Sequence, residues 1–219
     1  MKAVCNVLNI GLKDYMEVYN LQKKLLAERI KNKIPDTLIL TEHPPTFTIG
    51  RKGGRENILV SNEVLAKNEI KVYEVDRGGD ITYHGPGQIV GYPIINLAEW
   101  NKDIHLYLRS LEEVIIRFLS HFKIMAGRIN DYTGVWVGNK KIAAIGIGVS
   151  KWTTFHGFCI NINPNKEHFR MITPCGIKDK AVTSLDELTG ETTDIEYAKQ
   201  VLVTEFANCF NRRINSGYA

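Results

Sequence analysis

Val135-Trp-Val-Gly-Asn-Lys-Lys141-Ile-Ala-Ala-Ile-Gly-Ile-Gly-Val149, followed by Thr154-Phe-His-Gly-Phe-Cys-Ile-Asn161, is the stretch that decides the fold. Apolar and β-branched runs flank Gly138-Asn139-Lys140, a turn signal, and so predict a hairpin, with the run from Thr154 adding a third neighbouring strand. Hairpin-connected strands imply antiparallel pairing. Ala143, Ala144, Gly146 and Gly148 leave little side-chain bulk along one of these strands, as expected where a ligand or another backbone lies against it.

Working outward, Leu12, Tyr15, Met16, Tyr19, Leu25, Leu26 and Ile30 recur at helical spacing and predict an amphipathic helix over about 12–32, after a first strand at 3–9. Leu106, Leu108, Leu111, Val114, Ile115, Phe118 and Leu119 predict a second over about 103–122. Short strands are expected at Thr37–Leu40, Thr46–Ile49 and Val72–Asp76, and a short helix over 59–68. Ile89–Ile95 reads as β, with Pro93 favouring an edge or a bulge over a central position. Ser184–Glu187 and Thr193–Glu196 match capping boxes, so helices should begin there, the last running to about Arg213. The sum is an α/β (α+β) domain, a mixed and mostly antiparallel sheet packed with helices and lacking a βαβ repeat. With no composition break, residues 1–219 are expected to form one domain.

A formal charge of +4, from 28 basic and 24 acidic residues, is too mild for a nucleic-acid protein but favours an acidic partner. Cys5, Cys159, Cys175 and Cys209 form no CxxC or metal-type cluster, so free thiols in a reducing cytoplasm are expected. No run approaches the roughly 20 apolar residues of a membrane span, and the first residues lack a cleavable leader's pattern, so no membrane association is expected.

Three stretches carry candidate chemistry. Arg77-Gly-Gly-Asp-Ile-Thr-Tyr-His-Gly-Pro-Gly-Gln88 holds four glycines and a proline in twelve residues, a loop that lets a ligand approach the backbone, or else a structural hairpin. Gly50-Arg-Lys-Gly-Gly-Arg55 either receives an anion or is a solvated turn; it lacks a phosphate-loop signature. Cys175 sits between Pro174 and Gly176 on a constrained turn. A thiol with a pKa of about 8.5 is mostly protonated at neutral pH, and a nearby cation would favour the thiolate. Lys141 is the candidate cation, while Lys140 should point to the opposite face of the strand. A Cys–Lys pair suits nucleophilic acyl transfer; His84 and His156 are rival bases for a Cys–His arrangement.

The motif from Arg77 to Gln88, Lys141-Ile-Ala-Ala-Ile-Gly146, His156-Gly-Phe-Cys-Ile-Asn161 and Thr173-Pro-Cys-Gly176 resemble, in order, the signatures of the lipoyl(octanoyl) transferase family, the LipB-type octanoyl-acyl carrier protein:protein N-octanoyltransferases. The resemblance spans most of the chain and implies the fold of biotin and lipoate protein ligases. It implies Cys175 as acyl-thioester nucleophile and Lys141 as the group that lowers its pKa and shuttles protons. Arg77, Gly78, Gly79, Asp80, Ile81, Thr82, Tyr83, His84, Ala144, Ile145, Gly146, Gly157, Phe158 and Cys159 would line the acyl site. The implied donor is octanoyl-acyl carrier protein. The implied acceptors are the lipoyl domains of 2-oxoacid dehydrogenase E2 subunits and the glycine cleavage H protein, with no metal and no cofactor. Competing readings are an ATP-dependent lipoate or biotin ligase of the same fold, a Cys–His thioesterase, and a non-catalytic acyl- or carrier-binding module.

Overall fold

The computed structural model describes residues 2–173 and 181–215. In chain order its strands are β1 (Ala3–Leu12), β2 (Asp36–Glu42), β3 (Thr46–Ile49), β4 (Lys71–Glu74), β5 (Ile81–His84), β6 (Gln88–Ile94), β7 (Gly127–Ile129), β8 (Tyr132–Val137), β9 (Lys140–Ser150), β10 (Thr153–Asn161) and β11 (Arg212–Asn215). Its α-helices are α1 (Tyr15–Ile30), α2 (Asn62–Lys67), α3 (Ile104–His121), α4 (Leu185–Thr189) and α5 (Ile195–Cys209). Among the described residues the strands form an eight-stranded sheet, β11-β1-β2-β6-β10-β9-β8-β7, and a three-stranded one, β4-β3-β5. Pairing in the large sheet is antiparallel except where β1 lies parallel to β2 and β11. The expected α/β class with a mixed, mostly antiparallel sheet is therefore found.

Each face of the large sheet is covered because the helices carry apolar stripes. Leu111, Val114, Ile115 and Phe118 of α3 join Leu202 and Phe206 of α5 over Leu38, Ile89, Ile142 and Ile160. On the other face, Val18, Leu21 and Leu25 of α1 pack on Ile39, Val90, Tyr92 and Cys159. Asp14 caps α1 by accepting from the Met16 N–H at 2.9 Å, and Asp103 caps α3 by accepting from Leu106 at 3.0 Å. The small sheet has its own core of Phe47, Ile49, Ile81 and Tyr83 against Leu65, Ile70 and Ile172.

Three expectations are corrected. Pro93 lies in a central strand, between β2 and β10. The ladder accommodates it by stopping: β6 pairs with β10 only from Gln88 to Gly91, the His156 N–H turns to Gln22 Oε1 at 2.8 Å, and the Thr154 hydroxyl donates to the Pro93 carbonyl at 2.7 Å. The last helix ends at Cys209, short of Arg213, because Asn211 adopts a left-handed φ of 50° and the chain re-enters the sheet as β11. The cap of that helix is Asp194 rather than Thr193; its carboxylate accepts from the Glu196 and Tyr197 N–H groups.

β11 is held by charge as well as by its ladder. Asp36, buried at the start of β2, accepts from Arg29 Nε at 2.9 Å and from Arg212 Nε at 2.8 Å, and both arginines are themselves buried. Removing the carboxylate leaves the Arg212 guanidinium without that partner in a site closed to water, so Asp36→Ala is expected to cost about 3–5 kcal/mol. Urea unfolding at neutral pH measures it; a loss below about 1 kcal/mol would show that the triad is not buried in solution.

Candidate active site

A cavity of about 580 Å³ opens between the two sheets. Its floor is read from the register. Cys159 lies between Val90 and Ala144, and one step along, Gly157 lies opposite Gly146. These small side chains form a trough bounded by the larger Tyr15, Tyr92, Trp136 and Phe158. Its roof is the turn Arg77–Asp80, fixed by backbone contact: the Gly78 N–H donates to the Ile147 carbonyl at 2.8 Å. At Gly146 a Cβ would come within 2.8 Å of the Gly78 carbonyl and 3.0 Å of Arg77 Cδ, so this close approach requires glycine.

The basic glycine loop closes over the same turn. The N–H groups of Gly50, Arg51 and Lys52 donate to the carbonyls of Asp80, Arg77 and Gly79, each at 3.1 Å, and so are committed to protein rather than turned toward an anion. Lys52 nonetheless borders the cavity. Asp80 supports the corner by accepting from Asn57 Nδ2 at 2.8 Å and from the Ile81 N–H. Arg77 is buried, its guanidinium donating to the Thr48 carbonyl at 2.6 Å and to the Thr48 hydroxyl at 2.9 Å.

Of the residues expected to line the site, Arg77, Gly78, Gly79, Asp80, Ile81, Thr82, His84, Ala144, Ile145, Gly146, Gly157, Phe158 and Cys159 all border this cavity, as does Lys141. Tyr83 does not. Alternation along β5 turns it into the small sheet's core, where its hydroxyl sits 2.9 Å from His168 Nδ1 and its ring packs edge-on to Phe47 and Phe169. Cys175 lies outside the described residues. Lys140 and Lys141 diverge as alternation demands: Lys140 pairs with Glu187 at 3.0 Å, and Lys141 enters the cavity with its ammonium 5.1 Å from the Trp136 ring centre. Lys141 Cε passes close to Gly134, whose φ of 128° and whose would-be Cβ, 2.6 Å from the Ala143 carbonyl oxygen, exclude a larger residue.

Both chain flanks of Cys175 are fastened at this site. The Thr173 N–H donates to the Asn57 carbonyl at 2.9 Å; beyond, the Lys141 N–H donates to the Ala181 carbonyl and its own carbonyl accepts from Thr183, both at 2.9 Å. Asn161, on the cavity wall, donates to the Thr183 carbonyl at 3.0 Å and accepts from Gln88 at 2.8 Å, tying this strap to the floor.

Three imidazoles lie around the floor. His43 is placed between the Lys13 carbonyl, 2.7 Å from Nδ1, and the Tyr92 hydroxyl, 2.8 Å from Nε2. His84 stacks on Tyr15. His156 takes a left-handed φ of 54°, with Nε2 2.8 Å from an Asp76 carboxylate that also accepts from Lys23 at 2.7 Å and Tyr19 at 3.0 Å. Burial pushes His43 and His156 down to about 4 and His84 well below its ordinary value, so all three are neutral at pH 7. Burial also raises the Cys159 thiol, keeping it protonated. Sequence reasoning did not single out Asp76, Asn161, Trp136 or Gln22. Asp76 stands next to the glycine-rich motif and Asn161 closes the stretch that begins at His156, the signals that marked them; Trp136 and Gln22 looked like ordinary core residues.

The lipoyl protein ligase A/B catalytic domain model matches residues 14–207. The octanoyltransferase of Caldicellulosiruptor bescii is 52% identical over 212 residues, covering 96% of this chain and 93% of that protein. The chain belongs to the lipoyl protein ligase A/B catalytic domain family. It is an acyltransferase of lipoate biosynthesis and protein lipoylation. Among solved structures, a bipartite lipoate protein ligase, described with its E2 lipoyl domain, from Thermoplasma acidophilum shares the fold with a TM-score of 0.73 at 14% identity, covering 100% of this chain and 88% of that one. The biotin protein ligase of Aquifex aeolicus shares it more distantly, with a TM-score of 0.52 at 15% identity and 96% and 70% coverage.

The buried imidazoles set a pH dependence. Each has a folded pKa below the unfolded value of about 6.5, so the unfolded chain binds more protons as pH falls, and the stability is complete above about 6.5 and lost toward 4. Asp76, held down to about 2 by its Lys23, His156 and Tyr19 partners against the opposing effect of burial, adds a loss below about pH 4. Urea unfolding from about pH 7.5 to about pH 5 is expected to show stability falling by about 1.4 kcal/mol per pH unit for each ring protonated on unfolding. A flat profile over that range would mean the rings are open to water.

Proposed function

We propose that this acyltransferase carries an octanoyl group from acyl carrier protein, through a thioester on Cys175, to the target lysine of a lipoyl domain. The observation that carries the reading is the fastening of Lys141: both hydrogen-bonding groups of its peptide are bound by the strap that begins six residues after Cys175, while its side chain enters the trough. An ammonium within about 4–6 Å would favour the Cys175 thiolate.

In the first half-reaction the thiolate attacks the thioester carbon, the carrier's thiol departs, and the Lys141 ammonium supplies its proton. One thioester replaces another, so the step is nearly balanced in energy. In the second, the incoming lysine amine attacks the acyl-enzyme, neutral Lys141 takes the amine's proton, and Cys175 leaves as thiolate. The product is an amide, which gives the sequence its direction. About seven buried apolar carbons supply roughly 5–6 kcal/mol of binding in the trough.

A Cys–His pair is less well supported, because His156 pairs with Ile147, six residues along β9 from Lys141, the residue to which the strap beyond Cys175 is fastened. Acceptors in this reading are the lipoyl domains of 2-oxoacid dehydrogenase E2 subunits and the glycine cleavage H protein. The named octanoyltransferase relatives, and the ligase described with its E2 lipoyl domain, support a lipoyl-domain acceptor in general. Residues 1–219 act as one catalytic domain, in a reducing cytoplasm that suits the free thiols of Cys5, Cys159 and Cys209. Among the described residues no helix is long and apolar enough to cross a membrane.

Intact-mass analysis after mixing with octanoyl-acyl carrier protein tests this. Wild type is expected to gain one octanoyl group on Cys175 without ATP, Cys175→Ala none, and Lys141→Ala the same adduct at least about 100-fold more slowly. An ATP requirement with an acyl-adenylate and no enzyme adduct would establish the ligase reading instead; free octanoate as the product would establish a thioesterase.

A further inference from the structure

The strand that carries Lys141 is irregular where it begins. Val135 pairs with Ala143 and Trp136 with Lys141, so one step on β8 is matched by two on β9, and Ile142 is the extra residue of a β-bulge. A bulge re-aims the side chains beside it. Ile142 and Ala143 stay in the main core, while Lys141 is set directly opposite Trp136. Residues directly opposite in an antiparallel pair share a face of the sheet and touch.

The amine is confined there. Its peptide group is bound on both sides, by the Ala181 carbonyl and the Thr183 N–H. Its side chain passes over bare backbone at Gly134, where Cε and Nζ lie 2.7 and 3.5 Å from the point a Cβ would occupy. Nζ stands 5.1 Å from the centre of the Trp136 ring, inside the distance of about 6 Å at which the face of an indole attracts a cation. The ring is fixed in turn: Trp136 is 2% exposed, and Tyr132 packs edge-on against it with ring centres 6.0 Å apart.

Charged and titratable groups approach the same place from each neighbouring element. Glu112 of α3 accepts from the Gly134 N–H at 3.2 Å and is paired with Arg109 and Arg128. Asp131 and Tyr132 at the β7–β8 turn, and Arg77 from the roof, border the cavity, and the Cys159 thiol of β10 lies near enough to feel the lysine's charge. To their combined field the indole adds a contact that attracts the ammonium and is indifferent to the neutral amine. That asymmetry matters because the two half-reactions need different forms of Lys141, the ammonium in the first and the amine in the second.

Resting on the transfer reading above, we infer that Trp136 is a positioning residue for Lys141. Its π face holds the amine at the trough wall and favours the ammonium, and through it the Cys175 thiolate.

The test follows the lysine and the thiol separately in the full chain. With carbon-13 at lysine Cε, the Lys141 Hε signal, identified by its loss in Lys141→Ala, is expected to be displaced upfield by the indole ring current. Its titration midpoint is expected to fall by about 0.5–1.5 pH units in Trp136→Leu, and by less than half as much in Trp136→Phe, which keeps a π face. Alkylation of Cys175 by iodoacetamide, followed across pH by the mass of its peptide, is expected to move the other way in Trp136→Leu, to a higher midpoint. A wild-type Lys141 signal without ring-current displacement, or either midpoint unmoved in Trp136→Leu, overturns the inference. An alkylation midpoint unmoved in Lys141→Ala shows instead that the lysine does not govern the thiol, and the transfer reading falls with it. The wild-type spectrum decides whether the ring covers the amine even where a variant fails to fold.

Discussion

A single backbone hydrogen bond, from the Gly78 N–H to the Ile147 carbonyl, joins the glycine-rich turn to the large sheet, and the site depends on the closeness it records. It forms because Gly146 offers no side chain beneath the turn. With the turn seated there, Arg77 is carried over the trough and paired with Thr48, Asp80 becomes the corner that Asn57 supports, and the loop at 50–52 finds three carbonyls in reach. The cavity is what remains between the two sheets once that contact is made.

From this contact follows a division of labour along the trough. At one end Lys141 is held by its own peptide group, against a strap that joins Cys175's stretch to the floor through Asn161 and Gln88. At the other, α1 spends polar side chains rather than apolar ones: Gln22, Tyr19 and Lys23 reach across to His156 and Asp76. Gln22 is fully buried, and a buried polar group is costly unless paired, so its presence on the inner face of α1 is better explained by orienting the site than by packing.

Much of the fold was legible because periodicity is a local signal. The hairpin around Gly138, the strand at Thr46–Ile49 and the long helix ending in His121 follow from side-chain alternation and turn chemistry alone. Pro93 was misread because its tolerance in a central strand depends on a gap in the neighbouring ladder, a non-local fact. The end of α5 was misread for a similar reason: Arg212 continues a plausible helix until one sees that Asp36, 176 residues away, claims it. At the site, residue types and their order marked most of the cavity wall, but the face each residue presents was not marked. Tyr83 sits inside the motif and yet faces the other core, and Asp76 and Gln22 act through contacts more than 70 residues distant in sequence.

The loop at 50–52 is anchored by peptide groups alone, while the side chains of Arg51 and Lys52 remain exposed. Nothing in how the roof is attached depends on what those two residues are. Charge on this loop can therefore change without unseating the roof, so that its attachment and its surface charge are set by separate parts of the same segment.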